Sequence, residues 1–215
     1  MVVKQINRVK KIARAGFIAA IIAGVLLVAN SREEDKTEGW KIYRNERQEF
    51  ELKYPAKLIR ICEEVRTSDE SERLMLQHSI PFEHRDPCDF DDNPDPPLRH
   101  LTDFKVGFEV VNKNLKETIT WGEIGLVTEI PYGTELQIGA LRGYRITTGV
   151  EGCGLDKYYF PLDSTHTLFV ERYKITELDP IIINYKENRK LPDVIVPEKE
   201  EELFNNILAT FKFRK

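Results

Sequence analysis

The segment "EELFNNILATFKF" near the end of the chain places the strongest constraint on the fold. Leu203, Phe204, Ile207, Leu208 and Phe211 recur at the spacing of one helix face, with acids ahead of them and Lys212 and Arg214 behind. Phe211 and Phe213 then alternate about Lys212, which is the period of a strand. Such a stripe requires a broad apolar partner surface. Burying it contributes on the order of 10 kcal/mol before ordering entropy is subtracted.

The rest of the chain supplies that surface as strands. "WKIYRNERQEFELKYP" predicts a hairpin: Trp40 and Ile42 alternate, "RNERQ" turns, Phe50, Leu52 and Tyr54 alternate, and Pro55 stops the second strand. "KLIRICEEV" and "RLMLQHSIPF" follow, with Leu74, Leu76, His78 and Ile80 on one face. A loop rich in Asp and Pro, 83–100, leads to "TDFKVGFEVVN", where Phe104, Val106, Phe108 and Val110 mark a half-buried strand. Asn114 with Glu117 forms a capping box, so a short helix starts at Leu115 and ends at Gly122. "TELQIGALRGYRITTGV" and "DKYYFPLDSTHTLFVERYKI" predict three further strands, with "PLDSTH" as the last hairpin turn and a bend or bulge at "GALRGYR". Residues 176–197, broken by Pro180, Pro192 and Pro197, form an excursion before the closing helix. The expected fold class is α+β: an antiparallel β-sheet of about six to eight strands packed with a short helix and a long C-terminal helix, with an N-terminal hydrophobic helix ahead of it.

The N-terminus points to export. Lys4, Arg8, Lys10, Lys11 and Arg14 precede an uncharged run from Ala15 to Ala29. As a helix this run is about 22 Å long, against roughly 30 Å of bilayer hydrocarbon. That length suits a signal peptide, and an uncleaved single-pass anchor is the alternative. The expected organisation is therefore a leader or anchor over 1–31, a polar tether over 32–39 and an extracytoplasmic domain over 40–215. The partner implied is a membrane, through the leader, with the N-terminus cytoplasmic and the domain outside. Five of the 32 bases and none of the 36 acids fall in residues 1–31, so the remainder is acidic by about nine charges. That balance argues against nucleic acid as a partner.

Cys62, Cys88 and Cys153 all lie in the part expected outside, where an oxidising compartment permits one disulfide and leaves one thiol over. Spacing does not choose among the three pairings; the turn-rich settings of Cys88 and Cys153 favour that pair over Cys62, and three free thiols is the other reading.

"CDFDDNPDPPLRH" carries Asp89, Asp91, Asn93 and Asp95 in the alternation of a calcium loop. The sixth position holds Pro94 where a sharply turning Gly is needed, and the twelfth holds His100 where a bidentate Glu belongs. A standard EF-hand is thereby excluded, and the expected state of 89–100 is a solvated acidic loop stiffened by prolines. His78, His84, His100 and His166 show no spacing that sets two imidazoles on one element. There is no G-x-S-x-G, and "EGCGLD" has no assignable base. No catalytic, cofactor-binding or metal residue is assigned. Ile181, Ile182 and Ile183 cannot all face inward on a strand; insertion into the loop's own small core is the expected reading, and an exposed contact patch is the alternative.

Trp40, Tyr43, Asn45, Phe50, Leu52, Tyr54 and Pro55, the capped helix after a long strand, and the closing "FNNILATFKF" together resemble the PsbP-like fold family. The resemblance covers roughly residues 40–213. It departs at Glu49, where a Gly before the Phe is usual, and after Pro55, where a Trp often follows. That family includes photosystem II extrinsic proteins, a Ran-binding import factor and many exported bacterial proteins. The resemblance implies a central antiparallel sheet between helices and a binding or assembly role rather than catalysis. The expected function is thus a non-enzymatic exported module binding a protein or envelope component. A hydrolase with scattered residues and a calcium-stabilised adhesion or assembly factor are the alternatives.

Overall fold

The computed structural model describes residues 36–65, 72–85, 98–122, 133–150, 153–174 and 185–214. The chain divides at Glu38/Gly39; the second unit, Gly39–Lys215, is the one built from the elements below. The leader over 1–31 and the Ile181–Ile183 patch lie outside the described residues, as do positions 89–97 of the acidic loop. No helix among the described residues is long and apolar enough to cross a membrane.

The architecture is α+β and mostly antiparallel sheet. Among the described residues ten strands form two sheets, where one sheet of about six to eight strands was expected. β1 (Lys41–Asn45) and β2 (Phe50–Tyr54) pair as the predicted hairpin, and β10 (Lys212–Phe213) joins β2 to make a three-stranded sheet. The larger sheet has seven strands: β3 (Arg60–Val65), β4 (Glu72–Arg85), β5 (Leu98–Val111), β6 (Thr134–Ile138), β7 (Leu141–Val150), β8 (Cys153–Pro161) and β9 (Thr167–Tyr173). Their spatial order is β3-β4-β5-β9-β8-β7-β6. Three helices are described: α1 (Leu115–Gly122), the single turn α2 (Tyr185–Asn188) and α3 (Pro197–Ala209).

The C-terminal stripe packs as its periodicity requires. Leu203, Phe204, Ile207, Leu208 and Phe211 are all buried, in one cluster with Leu74, Leu76, Phe104, Val106, Phe108, Tyr158, Phe160, Leu168 and Val170 of the large sheet. Phe50 and Leu52 of the small sheet close the same cluster, and Phe50 stacks on Phe211 at 5.4 Å. Pro197 occupies the first turn of α3, where its missing N–H is harmless. Thr210 ends the helix: its Oγ1 donates to the Ile207 carbonyl at 2.7 Å and accepts the Lys53 N–H at 2.8 Å. The helix end is thus fastened to the small sheet.

Three expectations are corrected. In β1 the inward side chain is Tyr43, opposite Leu52, while Ile42 is 51% exposed. The loop expected over 83–100 is shorter, because β4 continues to Arg85 and β5 begins at Leu98. "GALRGYR" is no bend within one strand: Gly139 and Ala140 form a two-residue turn between β6 and β7. Gly139 has φ +58°, and a Cβ there would come within 2.9 Å of the Ala209 Cα, so the turn seats on the end of α3 only as glycine.

α1 covers the opposite face of the large sheet, with Ile119 buried against Tyr159 and Phe169. Its capping box forms as read: Glu117 N–H donates to Asn114 Oδ1 at 3.0 Å and Asn114 N–H to Glu117 Oε2 at 3.2 Å.

Candidate functional site

The open side of α1 and the last two strands of the large sheet enclose a groove of about 590 Å³. Its position follows from strand parity. Glu135 and Gln137 of β6 pair with Tyr144 and Arg142 of β7, and all four project on the α1 face. Leu115, the first residue of α1, and Pro161, the last of β8, complete the wall. The Tyr144 hydroxyl donates to Glu135 Oε1 at 3.4 Å. Arg142 is exposed and makes no ion pair among the described residues. The groove therefore offers one cation, one carboxylate, an amide and a phenol above apolar carbon, a mixture suited to a polar ligand with an apolar part.

Gly143 shapes this edge. A Cβ there would lie 2.0 Å from the Tyr159 carbonyl oxygen, so β7 approaches β8 more closely than any other residue allows.

A second polar constellation lies inside the core face. The pairing of β4 with β5 slips between His78 and Ser79: His78 faces Phe104, Ser79 faces Thr102, and Asp103 is the additional residue. Such a bulge turns the extra side chain to the same side as its neighbour, so Asp103 points into the core beside Phe104. The residue is 2% exposed; its Oδ1 lies 2.5 Å from His78 Nδ1, and its Oδ2 accepts the Ile195 N–H at 2.6 Å. The side chain thus holds the segment ahead of α3 against the sheet. His78 Nε2 makes no hydrogen bond among the described residues. This is the arrangement of a base and its orienting carboxylate, without a hydroxyl or thiol bonded to the imidazole among the described residues.

A third cluster sits on the α1 face. Arg73 reaches across Gly107 to pair with Glu171, the two side chains being 5% and 7% exposed. Arg73 Nε and Nη2 are buried with no hydrogen-bond partner among the described residues. On the core face Arg172 forks onto Glu200 of α3, and its guanidinium lies 4.9 Å above the Phe204 ring. Burial pushes the Glu200 carboxyl above its ordinary value against the pull of Arg172.

The residues singled out in the sequence are mostly dispersed. His78 does meet a carboxylate. His100 is exposed, with Nδ1 3.2 Å from the Ile80 carbonyl oxygen. His166 lies in the β8–β9 turn beside Asp163, as expected of a turn residue. Cys62 is an unpaired, half-buried thiol whose ionisation is displaced upward by burial. Cys88 and the side chains of Cys153 and His84 are outside the described residues. No group of three His, Cys, Asp or Glu able to hold a metal ion occurs among the described residues. Strand alternation missed the Asp103 partner because a bulge breaks it. It misses the groove because "GALRGYR" lacks the residue pair that marks a hairpin turn, so the β6–β7 turn resembles a bend within one strand.

No family model matches the sequence, and no curated protein matches it. Among solved structures the chain is similar to a protein of Bacteroides thetaiotaomicron VPI-5482, with a TM-score of 0.43 and 10% sequence identity over 81% of this chain and 48% of that one. The chain spans about half the length of that protein.

Proposed function

We propose that the chain is a non-enzymatic, extracytoplasmic module of PsbP-like fold that binds a protein or cell-envelope component through the groove beside β6. The observation that carries this reading is the groove itself. Its volume of about 590 Å³ falls in the range of ligand sites. Its rim sets Arg142, Glu135 and Tyr144 around the apolar surface of Leu115 and Pro161. The basic leader and apolar run support a location outside the membrane, either anchored through residues 1–31 or secreted. The acidic body supports a partner other than nucleic acid.

Crosslinking in intact cells of the native host, followed by identification of the captured component, tests this. Wild-type protein is expected to capture a defined partner, and Arg142→Ala with Tyr144→Ala is expected to abolish the capture. Capture that survives both substitutions would move the site elsewhere.

One observation favours a second reading, a hydrolase. His78 Nδ1 is held by a buried Asp103, which leaves Nε2 as a base. Turnover of an ester or glycoside panel that is lost in His78→Gln, with the fold intact, would favour the enzyme over the binding module.

A further inference from the structure

The outer edge of the large sheet, unpaired among the described residues, is built to match itself. β6 ends in a two-residue turn, so Ile138 and Leu141 form a hydrogen-bonded pair across it. Bonded and non-bonded pairs alternate along an antiparallel ladder. Leu136 and Thr134 therefore direct their backbone groups to β7, and Glu135 and Gln137 direct theirs outward. Among the described residues no strand pairs with that outer edge.

We propose that β6 adds edge to edge, antiparallel, to β6 of a second copy of this chain. Only one register lets both outward-facing residues bond: Glu135 against Gln137 of the second copy, and Gln137 against its Glu135, with Leu136 facing Leu136 on the two-fold axis. That register puts the leucines in the non-bonded position, where side chains across a ladder come closest. It sets a carboxylate against an amide. A register centred on Glu135 would instead set carboxylate against carboxylate.

The match extends one strand further. Arg142 neighbours Gln137 across the ladder, on the α1 face. In the proposed register Glu135 of the second copy continues the same row beyond Gln137. The row then reads Arg142, Gln137, Glu135 of the second copy, with a carboxylate supplied toward a guanidinium that makes no ion pair among the described residues. The second copy thus contributes a charged residue to the groove rim, and the two grooves flank the two-fold as one surface. The pairing rests on backbone geometry, and its bearing on partner binding rests on the proposed function of the groove. A five-residue edge buries little area, so the dimer is weak and concentration-dependent.

Sedimentation of the full chain in detergent, over a roughly hundredfold concentration range, reads this directly. Wild type is expected to pass from monomer to dimer. Gln137→Pro removes an outward N–H and leaves the bonds to β7 in place, so it is expected to stay monomeric with an unchanged circular dichroism spectrum. Gln137→Glu opposes like charges twice and is expected to weaken association roughly tenfold or more. Adding Glu135→Gln to it is expected to restore the wild-type constant. A wild type that remains monomeric at the highest concentration overturns the pairing. So does a folded Gln137→Pro that associates like wild type. A wild type that stays monomeric yet captures its partner would overturn the pairing and leave the proposed function standing. Dimerisation without any captured partner would sustain the pairing and remove the proposed function instead.

Discussion

Arg73 lies against the bare Cα of Gly107, where a methyl group would come within 1.9 Å of Nε. A glycine in the middle of a strand is weak in itself; here it is the window through which a side chain of β4 crosses β5 to reach Glu171 on β9. Gly107→Ala is expected to displace the guanidinium from Glu171 and weaken the buried pair, with a loss of about 3 kcal/mol in urea unfolding. In an Arg73→Ala background the added methyl finds space, and the same substitution should cost far less. Equal costs in the two backgrounds would mean that the glycine serves the backbone alone.

Asp103 joins the sheet to the segment ahead of α3. Asp103→Ala leaves the buried Ile195 N–H without its acceptor and His78 without its partner, and is expected to lower stability by about 2–3 kcal/mol. Hydrogen exchange at the Ile195 amide should accelerate in the same variant. Asp103→Asn keeps an oxygen for that amide and should fall between the two. An Ile195 amide that exchanges as slowly in Asp103→Ala as in wild type would remove this role.

Elements set by period and by local capping were legible in the sequence, and elements set by one residue's offset were not. The stripe ending at Phe211 and the box formed by Asn114 and Glu117 each depend on residues three or four apart. They form as read. The inward turn of Asp103 depends on a single extra residue in β5, which composition does not mark. The Gly139–Ala140 turn lacks the Asn-Gly or Asp-Gly pair that signals a hairpin, and its glycine answers to Ala209, far away in sequence. Ile42 looked inward because it alternates with Trp40, but the register with β2 assigns that face to Tyr43. The groove inherits both difficulties, since it needs the β6–β7 turn and α1 together.

Glu49 stands in the left-handed region, with φ +54°, between β1 and β2. A side chain costs about 1 kcal/mol or more there, and glycine does not pay it. Glu49→Gly is expected to raise stability by about 0.5–1 kcal/mol after the added freedom of the unfolded chain is subtracted. The Arg214 N–H that donates to the Glu49 carbonyl at 2.6 Å is untouched by the change. Thermal unfolding reads the gain; a lowered midpoint would place a stabilising role on the glutamate side chain.

Acid should act in opposite directions on two carboxylates. The Thr165 N–H, the His166 ring and the His166 N–H hold Asp163 well below the usual carboxylate range. Its folded form is the better acid, so its contribution is present above the unfolded pKa of about 4 and is lost as pH falls below that value. Glu200 is displaced upward by burial, so the fold favours its protonated form and is weakened as pH rises through its folded pKa. Asp163→Asn should flatten the decline in melting temperature between neutral and strongly acid solution, and Glu200→Gln should steepen it. The same slope in all three proteins would mean that neither group is linked to folding.

The slip at Asp103 has a hereditary consequence. Phe104 faces His78 and Thr102 faces Ser79 whether or not a residue intervenes, so the inserted aspartate displaces neither neighbour from its side of the sheet. Loss of that one codon would close the slip between His78 and Ser79, leave the separate irregularity between Ser79 and Glu83 as it is, and keep Thr102 and Phe104 on their own sides, while releasing the segment that carries Ile195. Descendants of an ancestral strand could thus gain or shed this tether in one step, with the remainder of the domain indifferent to the change.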